Sequence, residues 1–201
     1  MVLYGLNKKG SNLSTVDKPQ RWHNLKHKLA KRIQSMQSKV AIIMGSDSDW
    51  PALKGCYDTL KTFDIDVTVK ISSAHRSPDE TATFASDAKK NGFGVMICAA
   101  GMAAHLAGVV AAHTTLPVIG IPMASGALQG MDSLLSTVQM PPGIPVATVG
   151  IGAPGAKNAA LLAVQMLALA NSDLAKKLDD HKVSLAQGVS KKNAQLQKEL
   201  Q

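Results

Sequence analysis

Lys39-Val40-Ala41-Ile42-Ile43-Met44, followed at once by Gly45-Ser46-Asp47-Ser48-Asp49, is the stretch that decides the fold. Six residues, mostly β-branched or apolar and without polar alternation, form a strand buried on both faces. Gly45 lets the chain turn sharply, and the small polar residues after it begin a helix. A strand buried on both faces and followed directly by a helix is the unit of a parallel sheet with helices on each side.

The same unit recurs downstream. Asp49–Phe63 reads as a helix with Pro51 in its first turn. Asp66–Ser72 is a strand, Ser77–Asn91 a helix opened by Ser-Pro, and Phe93–Ala99 an apolar strand. Met102–Ala112 is a short helix, Pro117–Ile121 a strand, Gln129–Val138 a helix, Pro145–Gly150 a strand and Ala153–Ala170 a long apolar helix. The chain is therefore an α/β protein, a parallel sheet covered by helices on both faces, with right-handed crossovers. Three segments are expected: a basic leader without fixed structure over 1–38, a catalytic α/β domain over 39–170, and a helical tail over 171–201 that packs on a neighbouring subunit.

The net charge of +8 invites a nucleic-acid reading, but its distribution opposes one. Residues 1–39 hold nine Lys/Arg against the single acid Asp17, which accounts for the whole excess. The remainder balances at 13 against 13. Aromatics at 3% leave few platforms for stacking bases. Trp22, Leu25, Leu29, Ile33 and Met36 lie at helical spacing, so 21–37 is a candidate basic amphipathic helix. An adventitious extension, a targeting leader and a docking helix all fit that composition. Neither a secretory segment nor a membrane-length apolar run is visible, and the expected location is the cytoplasm. Cys56 and Cys98 form no metal or redox motif. No clustered Cys, His and carboxylates stand at metal-ligand spacing.

In a parallel sheet, ligands bind beyond the carboxyl ends of the strands, so the loops there are the place to look. After the first strand, Ser46, Ser48 and the free amides of a helix start make an anion site, or ordinary capping. After the second, Ser73-Ala74-His75-Arg76 brings a proton carrier beside a forked cation suited to phosphate. After the third, Ala100-Gly101 exposes backbone, and His105-Leu106 follows, with His105 either a second acid/base group or a structural polar contact at a subunit seam. After the fourth, residues 122–133 have too little charge for a metal and enough looseness for a lid.

Taken in order, these motifs resemble one family. Gly45-Ser46-Asp47-Ser48-Asp49, Ser73-Ala74-His75-Arg76 with Ser77-Pro78-Asp79, Ala100-Gly101-Met102-Ala103-Ala104-His105-Leu106, Asp132-Ser133-Leu134-Leu135-Ser136, Val138-Gln139-Met140-Pro141 and Gly143-Ile144-Pro145-Val146 look like the 5-(carboxyamino)imidazole ribonucleotide mutase family (PurE), over about 39–181. The resemblance implies a flavodoxin-like α/β/α sandwich assembling as an octamer with sites at subunit seams. It implies transfer of a carboxylate from an exocyclic nitrogen to a ring carbon, through decarboxylation and recarboxylation in a closed site, without metal or organic cofactor. His75 matches the family's catalytic His, and Ser46, Asp49 and Arg76 its ligand contacts. Ser48, Ser73, Ala74, Ala100, Gly101, His105 and Leu106 complete the expected substrate-binding set. The ligand is then a small ribonucleotide, and functional coupling to the ATP-dependent enzyme that makes the carboxyamino substrate is expected.

Arg76, where a directly carboxylating branch has Lys, favours the mutase branch. Direct carboxylation and a non-catalytic nucleotide-binding module on the same fold are the alternatives. Met102 in place of a usual Gly, Gln129 in place of a small polar residue, and Pro154 are departures that bear on pocket shape and lid motion.

Overall fold

The computed structural model describes residues 39–200 and, in the leader, Trp22, His23 and Leu25. Most of the expected helix over 21–37 lies outside the described residues. Five parallel strands form one sheet: β1 (Lys39–Met44), β2 (Asp66–Ile71), β3 (Phe93–Gly101), β4 (Val118–Met123) and β5 (Ala147–Thr148). Their spatial order is β2-β1-β3-β4-β5. The helices are α1 (Trp50–Thr62), α2 (Pro78–Asp87), α3 (Leu106–His113), α4 (Met131–Val138), α5 (Gly152–Ala168) and α6 (Ser172–Glu199). A 3-10 turn over Asp47–Asp49 precedes α1.

Strand alternation sorts the apolar residues into two cores. Val40, Ile42 and Met44 of β1 join Val95, Ile97, Ile119 and Ile121 beneath α1 and α5. Ala41 and Ile43 face the other way, with Met96, Cys98 and Val118, against Ala85 of α2 and Leu106, Ala107 and Val110 of α3. Both faces of the central strands are therefore covered, as their unbroken apolar character requires. With so few aromatics, closeness replaces bulk. Ala156, Ala159, Ala160 and Ala163 let α5 lie flat on the sheet and α1. Gly155 approaches the Gly150 carbonyl so closely that a Cβ there would overlap it.

The structure departs from the sequence expectation at four places. β2 is an edge strand, and Val69 and Ile71 are partly exposed rather than buried. β5 pairs through Ala147 and Thr148 alone, with the Val149 amide reaching the Gly120 carbonyl at 3.1 Å. α3 starts at Leu106, not Met102, because Met102 has φ 56° and the Ala104 amide donates to Ser136 Oγ at 3.0 Å. α4 starts at Met131, because Gln129 and Gly130 both have positive φ. No helix among the described residues is long and apolar enough to cross a membrane. Cys56 and Cys98 are free and buried, and burial pushes the Cys56 thiol up to about 12.

Candidate active site

β1 has β2 on one side and β3 on the other, so the chain leaves it in opposite directions and opens a crevice at the carboxyl ends. A cleft of about 540 Å³ lies there, lined by the loops after β1, β2 and β3 and by Ser125 from the loop after β4. All eleven residues expected at the site line it: Ser46, Ser48, Asp49, Ser73, Ala74, His75, Arg76, Ala100, Gly101, His105 and Leu106. A second cavity of about 310 Å³ lies toward the opposite end of the sheet, and Lys89 and Asn171 are its only polar side chains. It offers a ligand little chemistry.

The first loop is ordered by its own hydroxyls. Ser46 caps the 3-10 turn, its Oγ accepting from the Ser48 amide at 3.3 Å and from Ser48 Oγ at 2.9 Å. Asp49 follows at the foot of α1. Burial pushes its carboxyl above the ordinary range, a backbone hydrogen bond with Ser46 opposes this, and the Asp47 charge adds to it. A carboxylate that has lost water in this way gains most from hydroxyl donors of a ligand.

The second loop turns tightly. The Ser77 amide donates to the Ser73 carbonyl at 2.9 Å, and the Ser73 amide to Ser77 Oγ at 3.0 Å. Ser73 Oγ accepts from the Arg76 amide at 3.2 Å and Nε at 3.4 Å. Arg76 Nη2 then reaches across to the Gly45 carbonyl at 2.7 Å. One guanidinium thus fixes the first two loops relative to each other, with donors left over for an anion.

The third loop carries His105 to His75. His75 Nε2 and His105 Nδ1 are 2.9 Å apart, with the rings edge to face at 83°. Gly101 ends β3 directly under Ser125, where a Cβ would strike the Ser125 hydroxyl. The Asp132–Ser136 motif explains itself here. Ser133 Oγ donates to the Met123 carbonyl at 2.9 Å, and Ser136 Oγ receives the Ala104 amide. These serines hold α4 to the loops after β4 and β3 rather than facing the cleft. Gly45, Met102, Ala103 and Ser125 also line the cleft. Sequence reading gave Gly45 the turn and Met102 a bearing on pocket shape, but singled out neither Ala103 nor Ser125, whose small side chains carry little chemical signal. Among the described residues no three His, Cys, Asp or Glu side chains group to hold a metal.

Fold and cleft together define an α/β protein that presents Ser and Arg donors and an imidazole pair at the switch point of a parallel sheet. Comparison with known proteins narrows that class. Residues 39–188 match the family model of AIR carboxylase. The chain is 52% identical over 161 residues to the N5-carboxyaminoimidazole ribonucleotide mutase of Bacillus subtilis, covering 80% of this chain and 99% of that protein. It is 49% identical over 143 residues to the mutase of the same name from Escherichia coli K12, covering 71% and 85%. The crystal structure of Treponema denticola PurE superposes with a TM-score of 0.71 at 29% identity, covering 79% of this chain and 98% of that one. The chain belongs to the AIR carboxylase family.

Proposed function

We propose that this cleft binds a ribonucleotide and moves a carboxylate on its imidazole ring, with His75 carrying the proton. The chain has the N5-carboxyaminoimidazole ribonucleotide mutase activity of de novo purine biosynthesis. The observation that supports this use of the cleft is convergence: Ser46, Asp49, His75 and Arg76, from two separate loops, line one opening. Arg76 and the Ser46–Ser48 turn hold the phosphate. Asp49 accepts from the ribose hydroxyls.

The chemistry follows in two halves. The bond between the exocyclic nitrogen and its carboxyl carbon breaks, the electron pair stays on nitrogen, and His75 delivers a proton there. Carbon dioxide remains against the small residues around Gly101. The ring carbon then attacks it, a carbon–carbon bond forms, and the proton on that carbon returns to His75. One imidazole serves both halves, giving up a proton in the first and taking one back in the second.

Supplying the carboxyamino ribonucleotide without bicarbonate tests this directly. Formation of the carbon-carboxylated isomer is the expected result. Turnover only from aminoimidazole ribonucleotide plus bicarbonate would identify direct carboxylation, and binding without turnover would identify a non-catalytic module.

The working enzyme is a cytoplasmic octamer in this reading, and its turnover does not require residues 1–38. Met131, Leu135 and Val138 of α4 and Val183, Leu185, Val189 and Leu196 of α6 are exposed, more apolar surface than an isolated subunit needs. The tail over 171–201 packs on a neighbour. Sedimentation showing monomer alone at micromolar concentration would reject the assembly. Coupling to the ATP-dependent enzyme that makes the substrate is part of the same proposal.

A further inference from the structure

The contact between His75 and His105 joins two loops thirty residues apart in sequence at 2.9 Å between ring nitrogens. A hydrogen bond between two imidazoles holds one proton on its axis. If that proton sits on His75 Nε2, then His75 Nδ1 is the nitrogen free to work. If it sits on His105 Nδ1, a neutral His75 carries its proton on Nδ1 instead. Two features select the first arrangement. His105 is the residue preceding α3, held by its amide to the Ala103 carbonyl at 2.9 Å and by its carbonyl to the Val109 amide at 2.9 Å. It therefore stands at the positive end of the helix, where a cationic ring is disfavoured. His75 stands two residues before Ser77, the residue that caps α2, and so lies farther from its helix start than His105 does from α3.

We propose that His105 is a positioning residue whose Nδ1 accepts from His75 Nε2–H, fixing His75 Nδ1 as the nitrogen that exchanges the substrate proton. This rests on His75 being the proton carrier. The proton balance closes on the pair. In the charged state His75 bears both protons, Nε2–H to His105 and Nδ1–H to the exocyclic nitrogen of the substrate. Delivery of the Nδ1 proton leaves His75 neutral, with Nε2–H still on His105 and Nδ1 bare. That bare nitrogen is then oriented to take the proton from the ring carbon, which restores the starting state. His105 never changes its own proton count. The other ionisable groups lining the cleft are Asp49 from the end of the first loop and Arg76 from the second, and Arg76 is turned to the Gly45 carbonyl rather than to the pair.

Asn and Phe at position 105 separate this from a packing role. In His105→Asn the amide oxygen can take the place of Nδ1 as acceptor. In His105→Phe the ring remains and the acceptor is lost. Steady-state kinetics across pH is the first readout, on the full assembled chain. His105→Phe should lower kcat on the order of ten- to a hundredfold with KM nearly held. It should also move the alkaline limb of the rate profile to lower pH, because the protonated His75 has lost its acceptor. His105→Asn should keep the limb in place and most of the rate.

The second readout is the 15N spectrum of the wild-type histidines above the titration. It should show His75 protonated on Nε2 and bare on Nδ1. Unshifted limbs in both variants, equal losses in both, or a wild-type His75 protonated on Nδ1 would each overturn the proposal. If His105→Phe does not fold, the Asn profile and the wild-type spectrum still decide. His75→Asn run alongside keeps the two readings apart: its near-normal turnover would reject His75 itself, whereas its collapse beside a normal His105→Phe rejects only the role of His105.

Discussion

Arg76→Ala separates ligand binding from folding, because the structure shows what the guanidinium already does without a ligand. Of its five N–H donors, one meets the Gly45 carbonyl at 2.7 Å and one meets Ser73 Oγ at 3.4 Å. Both contacts are exposed, so water replaces them when the side chain is removed. Their loss should cost folding about 1 kcal/mol or less. Three donors remain, and Arg76 lines the cleft, where a phosphate would receive a charge-assisted fork. Each such bond contributes about 1.5–3 kcal/mol. In this open cleft the low end applies, so two bonds give about 3 kcal/mol, or roughly 150-fold in affinity. Arg76→Lys keeps the charge but not the fork, and should recover roughly half of that free energy. The assay is titration calorimetry with aminoimidazole ribonucleotide, with urea denaturation of the same preparations. Binding within threefold of wild type in Arg76→Ala would refute the phosphate assignment. A folding loss as large as the binding loss would show that Arg76 is only a brace between loops.

Four further outcomes are expected. His75→Asn should lose about two to four powers of ten in single-turnover rate while ligand affinity stays near wild type, because it removes the proposed proton carrier and keeps a polar side chain; loss of affinity with unchanged rate would reverse the assignment. Asp49→Asn should be more stable than wild type at neutral pH: a carboxyl whose folded value lies above its unfolded one, about 3.9, carries no penalty below that value and the full penalty above the folded value. Thermal melts should therefore show the advantage of Asp49→Asn at pH 7 shrinking toward pH 3.5, and an advantage constant with pH would contradict the burial argument. Met102→Gly should hold or raise stability, by up to about 1 kcal/mol, because it relieves a left-handed residue at φ 56° whose side chain is 61% exposed; denaturant titration showing a loss would show that the side chain packs usefully. Removal of residues 1–38 should leave turnover unchanged in an assembled enzyme, which a direct rate comparison checks.

The sheet and the location of the cleft were legible because both rest on local signals. Strands buried on two faces announce themselves as unbroken apolar runs, and Gly45, Ser77-Pro78 and Gly92 punctuate them. What escaped was set by contacts between distant segments. Nothing near Met102 says that the Ala104 amide belongs to Ser136, thirty-two residues on, and that contact delays the start of α3. Nothing near Pro145 says that pairing will stop after Thr148. The eleven candidate residues were visible by type and by position after strands. Their mutual roles were not. Arg76 read as a ligand group alone, yet it also holds the Gly45 carbonyl. His105 read as a lining residue, yet it holds the ring of His75. Sequence shows which side chains reach a strand end, but only the crossing of loops shows which of them touch.

The cleft also gathers the features that cost the fold free energy. Of the three non-glycine residues with positive φ among those described, Met102 lines the cleft and Gln129 lies in the loop after β4 that supplies Ser125; only Asp64 is elsewhere. Each left-handed residue costs about 1–2 kcal/mol. Asp49, its carboxyl raised chiefly by burial, adds a further penalty at neutral pH. These penalties are tolerated because the two cores, packed to near-zero exposure on both sides of β1 and β3, supply stability independently of the loops. Two of three left-handed residues and a desolvated carboxyl at one end of the sheet fit a preorganised binding site there. The same end holds the proposed anion donors and the imidazole pair, so the energetic and chemical readings of the molecule point to one location.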